Sequence, residues 1–390
     1  MKITRRFIAF LLVLVAPLVL FSPAQTATKA AAKGRFLAYV GTYTTKTESK
    51  GIYEYEFDAD SGKLTPKGIA AETPDPSWVV VHPSGKYAYA ANESGKASMV
   101  SAFARDAKSG KLTLLNQLPA LGEDPCYLSF DKTGKYLFVA NYTSGTITVF
   151  PILADGRLGE HTASLKDQGA LGPNKGHQEA PHAHWIEATS HNHFVYVSDL
   201  GLDRVLIYRF EAAKGTLTTG EPAESFSATL SPGTGPRHVA FGPAGKFMYV
   251  LGELQSTVTV FANGAQNTYR SVQQISALPK GFTGRNDAAE IAVHPNGKFL
   301  YTSNRGHESI AVFAIDPAKG TLTFLAHVST GGKEPRHFSI DPTGKFLLAE
   351  NQLSNNIVVF KIDAATGGLT PTGQVVEVPS PVNLTFVAAE

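Results

Sequence analysis

Two Pro-Arg-His tripeptides, Pro236-Arg237-His238 and Pro335-Arg336-His337, stand out in the chain as groups able to do chemistry. Beside them stand the histidine pair His182 and His184, the carboxylates Glu253 and Glu290, and the neighbours Asn304 and Arg305. A histidine or glutamate that titrates near neutrality serves as a general base. Arginine offers paired donors that fit a carboxylate, a phosphate or the oxyanion developing on an attacked carbonyl. His182 and His184 alternate by two, so on a strand they face one side and form a pair of potential metal ligands. Nothing else has metal-ligand spacing, and the reading is no metal and no cofactor. A phosphate-binding Gly-rich P-loop is absent, as is the Gly-x-Ser-x-Gly of a serine esterase. Cys126 is the only cysteine. It makes no internal disulfide and reads as a small core hydrophobe.

What positions these residues is a repeat. Val81-His-Pro-Ser-Gly-Lys-Tyr-Ala-Tyr89 matches segments beginning at Phe130, Phe241, Val293 and Ile340, with a degenerate copy through His191–Tyr196. Successive Gly-Lys pairs lie 49, 52 and 47 residues apart where copies adjoin, and 111 across the degenerate one. A period near fifty marks a propeller or solenoid. Each copy holds an apolar strand, a Pro-x-Gly-Lys turn, a strand alternating aromatic and small residues, a strand ending on Val-Phe, and an Asp-x-x-x-Gly turn into a fourth strand. Four strands per repeat make a propeller blade.

Second strands are expected at 37–43, 87–93, 136–142, 194–200, 247–253, 299–305 and 346–352. The fold class is therefore all-β, a seven-bladed propeller of four-stranded antiparallel blades. The final segment Pro381–Val387 has no partner of its own, so it pairs in the N-terminal blade and closes the ring, hiding two sheet edges. The insert 155–181 reads as an elaborated outer strand and loop. In such a blade, first-strand starts and second-strand ends share one face, and that face collects the Arg, His, Glu and Asn named above. The opposite face holds the Pro-x-Gly-Lys turns.

The first residues do not belong to this fold. Lys2, Arg5 and Arg6 precede an apolar run from Phe7 to Ala16, extended to Phe21, and small residues follow. That order is a secretory signal peptide, placed at residues 1–24, with a linker at 25–35 and the propeller at 36–390. The protein is then periplasmic or secreted, with no membrane association after cleavage, and is a monomer. Loss of the leader takes the formal charge from +2 to about −1, which leaves no electrostatic reason to bind nucleic acid.

The combination Gly41-Thr-Tyr43, Pro181-His-Ala-His184, Gly235-Pro-Arg-His238, Glu253, Glu290-Ile291, Ser303-Asn-Arg-Gly306 and Pro335-Arg-His337 resembles the lactonase family of seven-bladed propellers. That family includes bacterial 6-phosphogluconolactonases and fungal carboxy-muconate cyclases. The resemblance implies a small lactone as substrate and, from the cyclase branch, His184, Arg237, Glu253 and Arg305 as the reacting set. His182, His238, Glu290, Asn304, Arg336 and His337 are expected to bind substrate, with Glu350 in support. Either Glu253 or His184 is the base, and the arginines are the electrophilic clamp. Trp78 and Trp185 are expected to pack, Trp185 close enough to stack on a sugar. Export argues against a phosphosugar and for an unphosphorylated lactone. Two other functions fit the same groups: lactonising cyclisation of an unsaturated diacid, and ligand binding without chemistry.

Overall fold

The computed structural model describes residues 34–219, 227–264 and 268–389. The expected signal peptide, and the expected linker up to Lys33, lie outside the described residues. Seven antiparallel sheets follow one another along the chain. The first blade runs, from the axis outward, Pro381–Ala388, Arg35–Thr42, Gly51–Asp58 and Lys63–Glu72. Its innermost strand comes from the far end of the chain, pairing Leu37 with Val387 and Val40 with Leu384. Blades 2 to 7 begin with Pro76–Val81, Pro125–Phe130, Ala183–Ala188, Pro236–Phe241, Asp287–Val293 and Pro335–Ile340. Each of these first strands touches the first strand of the next blade, and the last touches the C-terminal strand, so the seven line a central axis. The outer strand of blade 3, Ala163–Lys166, opens the insert, and blade 4 carries an extra edge strand at Ser227–Thr229.

Apolar alternation explains the layers. Alternate residues of the second and third strands point to opposite faces of a blade, and both faces are covered by neighbouring blades. One shared core, for example, joins Tyr301 and Val312 of blade 6 to Leu347 and Phe360 of blade 7. Tyrosines of the second strands pin one blade to the next: the hydroxyls of Tyr39, Tyr89 and Tyr301 donate to the carbonyls of Gly110, Gly156 and Gly367. Gly110 and Gly367 close Asp-x-x-x-Gly turns and adopt φ of 78° and 75°, a backbone region open to glycine at no steric cost.

Two recurring devices shape the loaded face. Every first strand carries a register shift near its start, as between Pro236 and Val239 or Pro335 and His337. Such β-bulges break strict alternation and re-aim side chains. In four blades an asparagine at or next to the end of the second strand donates to a carbonyl of the connection entering that blade: Asn92 to Pro74, Asn141 to Ala120, Asn304 to Ala277 and Asn351 to Thr330.

Candidate active site

At one end of the axis a single carboxylate binds two arginines. Arg305 Nη2 donates to Glu253 Oε1 at 2.6 Å, and Arg237 Nε lies 3.3 Å from Glu253 Oε2. The bulge after Pro236 places Arg237 and the adjacent His238 together, with Nη1 and Nε2 3.4 Å apart. Arg237 also donates to the carbonyl of Ala289, and Arg305 Nε to that of Asp287 at 3.0 Å, so blade 6 backbone fixes both guanidinium planes. Glu334 Oε1 approaches Arg305 Nη1 at 3.6 Å. Burial alone would raise the Glu253 pKa, but Arg305, Arg237 and Arg336 outweigh it and hold the carboxyl below its usual range. Burial, with the neighbouring charge of Arg305, pushes Arg237 down to about 10, still protonated at neutral pH.

Arg336 is the third cation. Its guanidinium lies 5.5 Å over the Tyr43 ring, and the Tyr43 hydroxyl donates to Glu93 Oε2 at 2.8 Å. Burial works against the Arg336 charge, but Tyr43, Glu93 and Glu253 raise its pKa above the ordinary value.

Three buried imidazoles complete the centre. The His184 ring meets those of Tyr142 and His238 edge-on, at 5.4 and 5.1 Å, and its Nδ1 lies 3.8 Å from Cys126 Sγ. Burial, then Arg237, His238 and Arg336, depress its pKa well below the ordinary 6.5, so His184 is an uncharged proton acceptor at neutral pH. His238 is depressed likewise, by burial and then Arg237 and His337. Behind His238 runs a polar chain across the axis. His238 Nδ1 bonds Glu290 Oε2 at 2.9 Å, His337 Nε2 approaches the same oxygen at 3.4 Å, and His337 Nδ1 bonds Glu350 Oε2 at 2.8 Å. Burial raises the pKa of Glu290, and burial followed by the charge of Glu290 raises that of Glu350 well above the ordinary carboxylate value. Glu290 and His337 also line a cavity of about 660 Å³ that opens among Pro83, Lys132 and Pro342 of the opposite face.

Most of the expected residues thus converge, but not all. Asn304 is a correction: it is fully buried, its amide bonded to Ala277, Ser309 and Asn286, and it fastens its blade rather than facing the cluster. Trp185 packs as expected, buried against Tyr127 and Phe241, and from there it presents no face to a sugar. Trp78 packs as expected, on Tyr127, His238 and His337. His182 sits at the margin, stacked on Tyr142 at 4.7 Å with Nε2 3.3 Å from Glu179. Among the described residues no group of three or more His, Cys, Asp or Glu is placed to hold a metal. Cys126 is buried, and burial raises its thiol pKa well above the ordinary value. Tyr43 and Glu93 are site residues missed as such by the sequence reading, although both stand at second-strand ends of the loaded face.

On the same end, a depression of about 1290 Å³ lies between blades 1, 2 and 7. Tyr43 and Glu93, the partners of Arg336, form part of its wall.

Fold and site together define a seven-bladed propeller with a focused, cationic and histidine-rich centre at one axial end, the plan of a small-molecule enzyme. Comparison with known proteins specifies the class. Residues 37–386 match the family described as "Lactonase, 7-bladed beta-propeller". The 6-phosphogluconolactonase of Bacillus subtilis is 38% identical over 299 residues, covering 76% of this chain and 83% of that protein. That of Formosa agariphila is 33% identical over 304 residues, with the same coverage of each chain. Among solved structures, the periplasmic gluconolactonase of Pseudomonas aeruginosa superimposes with a TM-score of 0.85 at 34% identity, covering 91% of this chain and all of its own. The chain belongs to the seven-bladed lactonase family, as a propeller enzyme of the 6-phosphogluconolactonase-like kind.

Proposed function

We propose that the protein is an exported hydrolase that opens an unphosphorylated sugar lactone. The observation that carries this reading is the arginine cluster: Arg237 and Arg305 share one carboxylate, Glu253, and Arg336 adds a third guanidinium, so fixed cationic donors converge on the centre. Attack on a lactone carbonyl creates an oxyanion, and product release requires a carboxylate to be accommodated; fixed cationic donors serve both. His184 takes a proton from water as the oxygen adds to the carbonyl carbon. The ring C–O bond then breaks, and the proton passes to the departing ring oxygen. The carboxylic acid formed ionises and releases one proton to solvent.

Glu253 is the counter-ion and aligner of the two arginines in this scheme, because both of its oxygens are engaged by guanidiniums and neither is turned to an attacking water. The N-terminal sequence and the likeness to a periplasmic gluconolactonase support a site of action outside the cytoplasm. The test is pH-stat titration of the mature protein with glucono-δ-lactone, its 6-phosphate and muconolactone, each corrected for spontaneous opening. Acid release that Arg237→Ala abolishes supports the reading. Absence of release from every lactone overturns it.

A further inference from the structure

The depression beside the arginine cluster has chemistry of its own. Its volume of about 1290 Å³ exceeds the roughly 300–1,000 Å³ of pockets that enclose a whole drug-sized ligand. A single lactone ring held on the arginines would leave most of it empty. The depression adjoins the centre through Tyr43, which lines it, lies under the Arg336 guanidinium and hydrogen-bonds Glu93.

Its charge is opposite to that of the centre. Glu48, Asp75, Glu93 and Glu377 line it against the single cation Lys46. A phosphate placed there would meet like charge, whereas an uncharged group would not. The rest of the wall mixes polar groups (threonine, serine, asparagine and Gln352) with the apolar Leu353, Val378 and Pro379. Gln352 Oε1 is buried and has no hydrogen-bond partner. A buried amide atom left unpaired is costly, and a ligand that bonds it recovers that cost. A sugar hydroxyl both donates and accepts, so it satisfies the Gln352 amide in either orientation.

We propose, resting on the lactonase reading above, that this depression is a subsite for a neutral sugar residue attached to the lactone ring. The preferred substrate is then a glycosylated aldonolactone, the lactone of an oxidised disaccharide or longer oligosaccharide. The reaction supplying it is a two-electron oxidation at the anomeric carbon of a reducing disaccharide, with the electrons passed to the acceptor of that enzyme. The centre binds the end that becomes an anion; the acidic depression holds the end that stays neutral.

The experiment compares kcat/KM of the mature protein for cellobiono-1,5-lactone, glucono-1,5-lactone and 6-phosphoglucono-1,5-lactone, each corrected for spontaneous opening. The expected order places the disaccharide lactone at least tenfold above gluconolactone, with the 6-phosphate lowest. Gln352→Ala should lower the disaccharide-to-monosaccharide ratio by about tenfold, and the double variant Glu48→Lys/Glu377→Lys should raise the relative rate on the 6-phosphate. Equal kcat/KM for the two neutral lactones, or preference for the 6-phosphate, overturns the subsite while leaving the lactonase reading intact. Failure to open any lactone overturns the lactonase reading and the subsite with it.

Discussion

Replacing Glu253 with glutamine separates the two roles open to this carboxylate. Glutamine keeps the shape and one acceptor oxygen but removes the negative charge. In the native site Glu253 accepts a 2.6 Å bond from Arg305 and lies 3.3 Å from Arg237. Hydrogen bonds to charged groups contribute about 1.5–3 kcal/mol, roughly twice the neutral value. Glutamine therefore weakens the Arg305 hydrogen bond by about 1 kcal/mol and removes the ion-pair attraction to Arg237, a contribution of similar size, about 1 kcal/mol. If the arginines lose alignment in proportion, kcat/KM falls by about 2 kcal/mol, or roughly 30-fold. The assay is the initial rate of acid release from glucono-δ-lactone across the pH range, with the fold checked by circular dichroism. An aligning Glu253 leaves a residual rate of a few per cent and an unchanged acid limb, because His184 still carries the proton. A rate indistinguishable from the spontaneous one, together with loss of the acid limb, would refute the argument and make Glu253 the base.

The same carboxylate has a linkage signature. Its folded pKa lies below the ordinary 4.5, so its stabilisation is fully present above pH 4.5 and is lost as pH falls through the lower, folded value. Denaturant melts should show the stability gap between wild type and Glu253→Gln narrowing only below that point. Arg237→Met removes the second-largest cause depressing His184, after burial. The acid limb of whatever lactone opening remains should move to higher pH in a pH–rate profile. Burial raises the Glu350 pKa, so Glu350→Gln, which removes the buried charge but keeps the shape and an acceptor for His337, should change unfolding free energy by less than about 1 kcal/mol, whereas Glu350→Ala leaves a void and His337 Nδ1 without its partner and should cost about 2–4 kcal/mol. Cys126, buried and with its thiol pKa raised, should resist alkylation by iodoacetamide in the folded protein and react once denatured, read by intact mass.

The blade count, the strand order and the C-terminal closure were legible because they depend on local signals repeated seven times. The Gly-Lys turns set the period, and the aromatic–small alternation marks each second strand. The loaded face was legible for the same reason: antiparallel pairing alone decides which residues share an end. The fates of single side chains on that face were not. Asn304 looked like a ligand-binding amide, yet asparagines at the equivalent positions 92, 141 and 351 also bind connection backbone, so the repeat itself held the warning. Trp185 packs as its size suggested, but that it is wholly covered, with no edge left for a sugar, follows from its neighbours Tyr127 and Phe241, which the sequence does not place beside it. Whether Glu253 acts as base or counter-ion depends on Arg237 and Arg305 lying against its two oxygens. Those arginines come from blades whose spacing along the chain says nothing of a 2.6 Å contact. Tyr43 and Glu93 became site residues only when Arg336, nearly the whole chain away, was seen to lie over the tyrosine.

The strand Pro381–Ala388 that completes the first blade has a consequence for how the protein comes into being. Synthesis runs from the N-terminus, so Arg35–Thr42 is made before all the other blades and waits for a partner that follows them in the chain. Until then blade 1 has a bare inner edge, and the neighbouring strands Pro76–Val81 and Pro335–Ile340, which both touch the closing strand, have nothing between them. Contacts so distant along the chain are slow to form, and an open edge invites association with other chains meanwhile. A chain cut short by eight or nine residues would keep every group of the arginine centre and still lack a finished axis around which to hold them. The integrity of the axial centre therefore rests on one pairing between strands far apart in the chain, Pro381–Ala388 on Arg35–Thr42.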